Sequence, residues 1–366
     1  MNLLLNLQLV FLLFFHISCA LAQKILLTGG AGFIGSHVAQ TLLQRGDAVV
    51  IIDNFNDAYD IAIKKYNVSM IQKSDLFGRL TVYPVDICNT EKMMEIFAFE
   101  QPDVICHLAA RAGVRMSVLE PYECYRSNAT GTLTIFELAR QFGIKHIVNA
   151  SSSSIYNSSS GNGSLSESRN VDKQTSPYGV TKRSGELLAY VYHYLHGISI
   201  TNLRFFSVYG PRGRTDMAPF IFMDAIYNDR PIFVYGDGSV VRDFTFIEDI
   251  VAGVVSAIDN PLGYQILNIG RGEPIVLGDF IDIMETIIGK KALIQYMPGY
   301  PCDAPFTHAD ITKASALLQY QPQTSVVCGL KKMYDWYKNE FLSLELSKKK
   351  NKSLITMNNI EIYNLE

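Results

Sequence analysis

Tyr178 and Lys182 stand four residues apart in the run Ser176-Pro177-Tyr178-Gly179-Val180-Thr181-Lys182. On a helix that spacing puts both side chains on one face. An ammonium beside a phenol favours the phenolate, so the pair is expected to bring the Tyr178 pKa down from about 10 towards neutrality. A phenol tuned that way can take a proton from an alcohol while a nearby electrophile takes the hydride. The same spacing also describes an ordinary solvated helix face, so its weight comes from the rest of the chain.

Upstream lies Thr28-Gly29-Gly30-Ala31-Gly32-Phe33-Ile34-Gly35. Glycines at 29, 32 and 35 allow a tight turn, close approach of a pyrophosphate and close helix packing, with the phosphates at the helix N-terminus. Lys24–Thr28 before the loop reads as a buried parallel strand, and Ser36–Arg45 after it as a helix closed by Gly46. Ala48–Asp53 reads as a second strand ending in a carboxylate. Asp53 there can accept from an adenosine ribose 2′-hydroxyl and would repel a 2′-phosphate, which favours NAD over NADP.

Further strand-like runs fall at 80–84, 104–108, 146–150 and 200–205, with helical patterns over 130–142 and 181–196. Alternating βα units predict an α/β fold, a doubly wound parallel (Rossmann) sheet with right-handed crossovers. From about Ser207 the pattern loosens into Gly/Pro-punctuated segments, read as a smaller α/β substrate-binding lobe. The expected division is a leader over 1–22, an NAD-binding domain over 23–206 with segments near 240–270 returning to it, a substrate lobe over 207–341, and a tail over 342–366.

Strand ends in such a sheet carry the ligand. Asp86-Ile87 can meet the adenine edge, with helix capping as the alternative for Asp86. Leu108-Ala109-Ala110 offer small residues beside the nicotinamide ribose. Asn128 opens a helical stretch, where it serves either as a cap or in a site water network. Ser151-Ser152-Ser153-Ser154 leave the fifth strand and supply short hydroxyls to a sugar and to Tyr178, whereas Ser158–Ser160 read as a polar loop. Five arginines crowd the stretch from Arg204 to Arg242, at 204, 212, 214, 230 and 242. Guanidinium forks suit diphosphate or carboxylate, with surface pairing the alternative for Arg212 and Arg230.

Composition sets bounds. The 366 residues are 48% hydrophobic and 18% charged, with net charge −3, an ordinary globular balance with no basic excess for nucleic acid. Six scattered cysteines suggest neither a zinc site nor a disulfide framework, so no metal is expected. Leu3–Ala22 is apolar and ends Ala20-Leu21-Ala22, a signal-peptidase-like pattern, but no Lys or Arg precedes it. A cleaved signal, a membrane anchor and a spurious upstream start are all open. Of six Asn-x-Ser/Thr sites (67, 128, 149, 157, 162, 351), Asn128 and Asn149 fall inside the nucleotide domain. A cytoplasmic location is expected, with membrane attachment through residues 3–22 the alternative.

The chain resembles the extended short-chain dehydrogenase/reductase (NAD-dependent epimerase/dehydratase) superfamily, and within it the UDP-glucuronate 4-epimerases. The matching runs are Asp53-Asn54-Phe55-Asn56-Asp57, His107–Arg115, Ser151–Tyr156, Leu203–Ala218 (with Phe205 and Ser207), Arg242–Ile250 and Asn268-Ile269-Gly270. Together they cover Lys24 to Phe341. The resemblance implies tightly held NAD, a UDP-sugar substrate, a homodimer and a hidden redox cycle through a 4-keto sugar.

By that resemblance Tyr178 is the base, Lys182 holds the nicotinamide ribose, and Ser152 shares the substrate hydroxyl with Ser153 and Ser154 beside it. Gly29, Gly32, Phe33, Ile34, Gly35, Asp53, Asn54, Asp86, Ile87, Leu108, Ala109, Ala110, Asn128 and Phe205 are then the cofactor residues. Ser207 and Arg214 face a uronate carboxylate, and Arg242 and Asp303 the UDP. Control of the carboxylate is chemically sensible, because a 4-keto uronate is a β-keto acid that loses carbon dioxide readily. Asn157 and Cys302 stand where that family has glycine, and its Pro-Phe-x-Glu element is only partly kept at Leu165-Ser166-Glu167.

Related decarboxylases and dehydratases carry an acid after the catalytic hydroxyl, whereas this chain has Ser153 and Ser154. A neutral UDP-hexose 4-epimerase is the nearest rival, with Arg214 against it. A non-catalytic NAD-binding relative is the rival of a different class, with Tyr178, Lys182 and Ser152 against it.

Overall fold

Seven short apolar runs lie side by side as one parallel sheet in the computed structural model, which describes residues 22–156 and 163–344. The expected leader up to Leu21, Ser158–Ser160, the sites at Asn157, Asn162 and Asn351, and the expected tail from Leu346 lie outside the described residues. In chain order the strands are β1 (Lys24–Thr28), β2 (Ala48–Ile52), β3 (Leu80–Tyr83), β4 (Val104–His107), β5 (His146–Ser152) and β6 (Ser199–Phe205). Then come β7 (Ser207–Tyr209), β8 (Pro231–Tyr235), β9 (Val241–Arg242), β10 (Phe244–Phe246), β11 (Tyr264–Ile269), β12 (Ile275–Val276) and β13 (Leu293–Met297).

The main sheet runs β11-β6-β5-β4-β1-β2-β3. The chain winds outward from β1 in one direction and from β4 in the other, so loops after β1 and β4 diverge and leave a crevice at their carboxyl ends. Period-two alternation fills both faces. Ile25, Leu27, Val49 and Ile51 join one core, over which the helices Phe33–Arg45, Ile61–Ser74 and Ile247–Asp259 pack. Leu26, Val50, Ile105, Ile147 and Ile200 join the other, under Thr90–Glu100, Gly131–Gln141 and Pro177–His196. The first core continues through Phe220, Phe280, Met333 and Phe341 into the C-terminal segments, which add the paired strands β8 and β13.

Two helices start earlier than their apolar periodicity suggests. The first begins at Phe33 rather than Ser36, and no side chain caps it. The helix expected over 181–196 begins at Pro177, with Ser176 Oγ accepting from Gly179 N at 3.1 Å. Proline at the first helical position and a serine cap are favourable start signals, and they put Tyr178 in the first turn and Lys182 in the second.

Glu186, one turn further on, ties that helix to the sheet. Its carboxylate accepts from Arg204 Nε at 2.7 Å and Nη2 at 2.8 Å, and from Ser151 Oγ at 2.6 Å. Arg204 is 1% exposed and Glu186 0%. Removing Arg204 leaves the buried Glu186 carboxylate with only Arg183 Nη1, at 3.0 Å, to offset its charge. Arg204→Met is therefore expected to lower the unfolding free energy by about 3–5 kcal/mol, read from the denaturant midpoint; an unchanged midpoint would mean the pair carries no such strain.

Candidate active site

A crevice at the carboxyl end of the sheet encloses about 1570 Å³ of atom-free space including its open mouth. At its floor Gly29 turns with φ +71°, and a Cβ there would sit 2.8 Å from Ala109 Cα. A Cβ at Gly35 would run into the Gly29 carbonyl. Glycine is thus required by contact as well as by backbone angle, since the β1 loop lies directly on the β4 chain. The uncapped first turn at Phe33 points its N–H groups at the cleft. Beside Gly32 the buried Tyr59 hydroxyl faces the Phe33 backbone N–H. A helix first turn with no side-chain cap and a phenol hydroxyl beside it together fit a pyrophosphate.

Asp53 closes the next strand. Its Oδ2 accepts from Ala31 N at 3.2 Å and its Oδ1 from Phe55 N at 2.9 Å. Lys64, buried on the helix Ile61–Ser74, reaches Asp53 Oδ1 at 3.4 Å and Asn56 Oδ1 at 3.1 Å. Burial pulls the Lys64 ammonium below its ordinary value, and Asp53 works in the opposite sense. Lys64, Asn56 and Tyr59 all line the cleft and were not singled out from sequence. The available signal was a lysine on the same helix face as Asn67 and Ile71, both buried. These residues fit NAD: a turn for the pyrophosphate and a carboxylate for the ribose diol.

Gly29, Gly32, Phe33, Ile34, Gly35, Asp53, Asn54, Asp86, Ile87, Leu108, Ala109, Ala110 and Phe205 line this one cleft with Ser152, Ser153, Ser154, Tyr178, Lys182, Ser207 and Arg214. Asp86 is not a helix cap. Asn89 fills that position, while Asp86 accepts from Asn54 Nδ2 at 3.1 Å and Arg126 Nη2 at 2.9 Å. Asn128 does not line the cleft. Its amide is buried and bonds Arg111 N at 2.7 Å, Arg111 O at 3.1 Å and Thr181 Oγ1 at 3.1 Å, a brace between the β4 loop and the Tyr178 helix. Arg242 and Asp303 also lie outside the lining.

The expected electrostatics of the pair need correction. Burial raises the Tyr178 phenol above its ordinary value of about 10, and the Ser152 hydrogen bond and the Arg214 charge offset this only in part. Lys182 Nζ lies 6.0 Å from the Tyr178 ring centroid and donates to Ala150 O at 2.8 Å. Burial also lowers Lys182 itself to about 8. In so enclosed a site, desolvation penalises both charged forms and outweighs their proximity. Within the cleft, Ser152 and Arg214 are what favour the phenolate.

Arg214 Nη2 donates to Ala112 O at 3.0 Å and pairs with Asp216 Oδ2 at 2.6 Å, with its guanidinium 5.7 Å from the Tyr59 ring. Leu165-Ser166-Glu167 is structural, with Glu167 Oε1 accepting from Asn268 N at 2.7 Å. Asn67, Asn128 and Asn149 are buried, which leaves no room for a glycan. Among the described residues no helix is long and apolar enough to cross a membrane.

Residues 25–270 match the NAD dependent epimerase/dehydratase family. The chain is 45% identical over 314 residues to a UDP-glucuronate 4-epimerase of Thermodesulfobacterium geofontis, covering 86% of this chain and 95% of that one. It is similar in structure to the UDP-glucuronic acid 4-epimerase of Bacillus cereus, solved in complex with UDP-glucuronic acid and NAD. That likeness has a TM-score of 0.80 and 38% identity, over 86% of this chain and 99% of that one. A UDP-glucose 4-epimerase of Thermotoga maritima, solved with UDP-glucose, gives a TM-score of 0.79 at 28% identity, over 87% and 99%.

Lys182 sets a pH dependence of stability. It ionises near 8 in the folded chain against an ordinary 10.5. Between those values the unfolded chain binds the extra proton, so stability rises with pH through that window. Lys182→Met removes this dependence. It is expected to be more stable than the parent at pH 7, by up to about 3 kcal/mol, with the gap narrowing towards pH 10. Urea unfolding at both pH values checks this, and a constant gap would contradict it.

Proposed function

The chain belongs to the NAD dependent epimerase/dehydratase family, and from that premise we propose that it interconverts UDP-glucuronate and UDP-galacturonate. It is an NAD-dependent UDP-sugar 4-epimerase, an isomerase. NAD, when bound, supplies the reversible hydride acceptor that inversion at C4 requires. Tyr178 takes the proton of the C4 hydroxyl while Ser152 shares that hydroxyl and steers it. The resulting 4-keto sugar turns about its diphosphate link, and Tyr178 returns the proton. Lys182 orients the nicotinamide ribose and, fixed to Ala150 O, keeps its helix turn against β5.

One observation carries the choice of a uronate: Arg214 lines the same cleft as Tyr178 and Ser152 and acts on the phenol by its charge. A guanidinium there suits a carboxylate at C5, next to the reacting carbon. Held so, the carboxylate is kept from the alignment that releases carbon dioxide from a β-keto acid. No carboxylate follows Ser152 in Ser153-Ser154, which favours epimerisation over decarboxylation or dehydration.

A homodimer belongs to the same reading. Leu187, Tyr190, Val191, Tyr194 and Leu195 form an exposed stripe at helical spacing on Pro177–His196. Sedimentation at twice the chain mass of 40.9 kDa would support it, and a monomer would refute it.

NMR analysis of products from UDP-glucuronate is the direct test. UDP-galacturonate is the expected product, and a UDP-pentose or no conversion would sink the reading. Arg214→Ala is expected to raise KM for UDP-glucuronate about 10- to 100-fold through loss of a charge-assisted contact, while KM for UDP-glucose changes little. Equal effects on both sugars would refute the carboxylate role.

A further inference from the structure

His107 ends β4 and is 2% exposed. It is the register partner of Thr28 on β1, so both side chains leave the sheet on the face that the helix Gly131–Gln141 covers. Its Nδ1 lies 2.7 Å from Thr28 Oγ1, and its Nε2 lies 3.0 Å from Thr132 Oγ1 on that helix. Thr28 Oγ1 also accepts from Ala109 N at 3.2 Å. Thr132 Oγ1 donates to Asn128 O at 2.5 Å. The proton and hydride steps described above make no use of this buried ring.

Both ends of this series are backbone groups with a single role, and together they fix every proton between them. The Asn128 carbonyl can only accept, so the Thr132 hydroxyl hydrogen points at it. Thr132 Oγ1 is then left to accept from His107, which places the ring hydrogen on Nε2. Burial, reinforced by the Lys182 charge, lowers the imidazole to about 3, so the ring is neutral and Nδ1 is bare. Nδ1 accepts from the Thr28 hydroxyl, whose oxygen in turn accepts from Ala109 N. Every bond therefore runs one way, from the Ala109 amide to the Asn128 carbonyl. The other tautomer would turn a bare Nε2 towards an oxygen whose hydrogen is already committed. Bonds aligned in one direction strengthen one another, and inside a protein a broken link is costly.

The two ends meet in the loop after β4. Ala109 lines the cleft, and its Cα lies 2.8 Å from where a Gly29 side chain would begin. Asn128 holds Arg111 of the same loop through its amide, at 2.7 Å to the N and 3.1 Å to the O. We infer that His107, carrying its hydrogen on Nε2, is a positioning residue for the cofactor: it locks the Ala109 peptide against the glycine loop and so sets how firmly NAD is retained, without holding the sugar nucleotide. This rests on the NAD reading above. The ring touches neither the cofactor space nor the substrate space. It acts through Thr28 on the β1 side and through Thr132 and Asn128 on the helix side, so the loop cannot lift from Gly29 without breaking a buried bond.

Two measurements on the NAD-loaded protein test this. Long-range nitrogen–proton correlation NMR at pH 7 reads the tautomer, with the His107 ring assigned through its contacts to the Thr28 and Thr132 methyl groups. A hydrogen on Nε2 and a bare Nδ1 are expected; the reverse tautomer or an imidazolium would overturn the proposal, and this reading needs no variant to fold. The second measurement follows NAD release after dilution, alongside calorimetric titration of UDP into NAD-saturated protein. His107→Leu is expected to release NAD about 10- to 100-fold faster, with UDP affinity little changed. His107→Asn, whose Oδ1 can still accept from the Thr28 hydroxyl, should fall between. Release as slow as in the parent protein would overturn the proposal, and so would an equal loss of UDP affinity, which would make the histidine a general prop of the fold. A parent protein that retains no NAD would instead remove the cofactor reading on which the proposal rests.

Discussion

The geometry around Tyr178, Lys182 and Ser152 depends on the buried pair between Glu186 and Arg204. Glu186 lies one turn from Lys182 and two from Tyr178, Arg204 belongs to β6, and Ser151 on β5 completes the set at 2.6 Å. Arg204 Nη1 also reaches the Tyr156 hydroxyl at 2.8 Å, and that hydroxyl donates to Asn268 on β11 at 2.7 Å. One network thus fixes the Tyr178 helix against three neighbouring strands. Buried ion pairs add little net stability over a well-packed apolar core, but their directional bonds admit few alternatives. Here that direction sets where Ser152, next to Ser151, meets Tyr178.

The same enclosure that fixes the geometry makes charge expensive. Desolvation raises the Tyr178 phenol and lowers Lys182 to about 8, so ionisation of the base is not supplied by the lysine alone. The two groups that favour the phenolate, Ser152 and Arg214, are also the two that the proposed reaction turns towards substrate. Proton affinity at Tyr178 is therefore coupled to what occupies the cleft. A preorganised, buried polar site can impose that coupling, whereas an exposed Tyr-Lys pair would be screened.

The nucleotide half was legible because its signals are local. Strand, glycine loop, helix, second strand and Asp53 follow one another in sequence, and each carries its own period or turn chemistry. Apolar periodicity alone places both helix starts too late, because caps and first-turn residues set them; Ser176-Pro177 is such a start signal. The bracing role of Asn128 is not legible in the sequence, because its partners Arg111 and Thr181 are far apart in the chain and meet only after folding. Lys64 as a partner of Asp53, and Arg115 as a partner of Asp303, escaped for the same reason. A charge next to a distant charge has no sequence period. The sign of the Tyr178 shift was missed because spacing along a helix gives proximity but not burial.

The glycine-loop helix and the turn that carries Arg214 are also joined mechanically, through His37 and Arg212. His37 lies on the helix Phe33–Arg45 whose first turn faces the cleft. Its Nε2 donates to Pro211 O at 3.0 Å, and its Nδ1 accepts from Arg212 Nη2 at 2.8 Å. Burial, reinforced by Arg212, lowers His37 to about 3, so the ring stays neutral and can accept. Arg212 is buried with φ +61°, a left-handed backbone that costs a non-glycine residue about 1–3 kcal/mol. Its Nη1 has no hydrogen-bond partner among the described residues. Such strain persists only where surrounding contacts over-determine it, and here those contacts are His37 and Gln40 on one helix. Two residues later comes Arg214. The turn that carries Arg214 is therefore braced on the helix whose first turn lines the cleft, and a shift of that helix must move both.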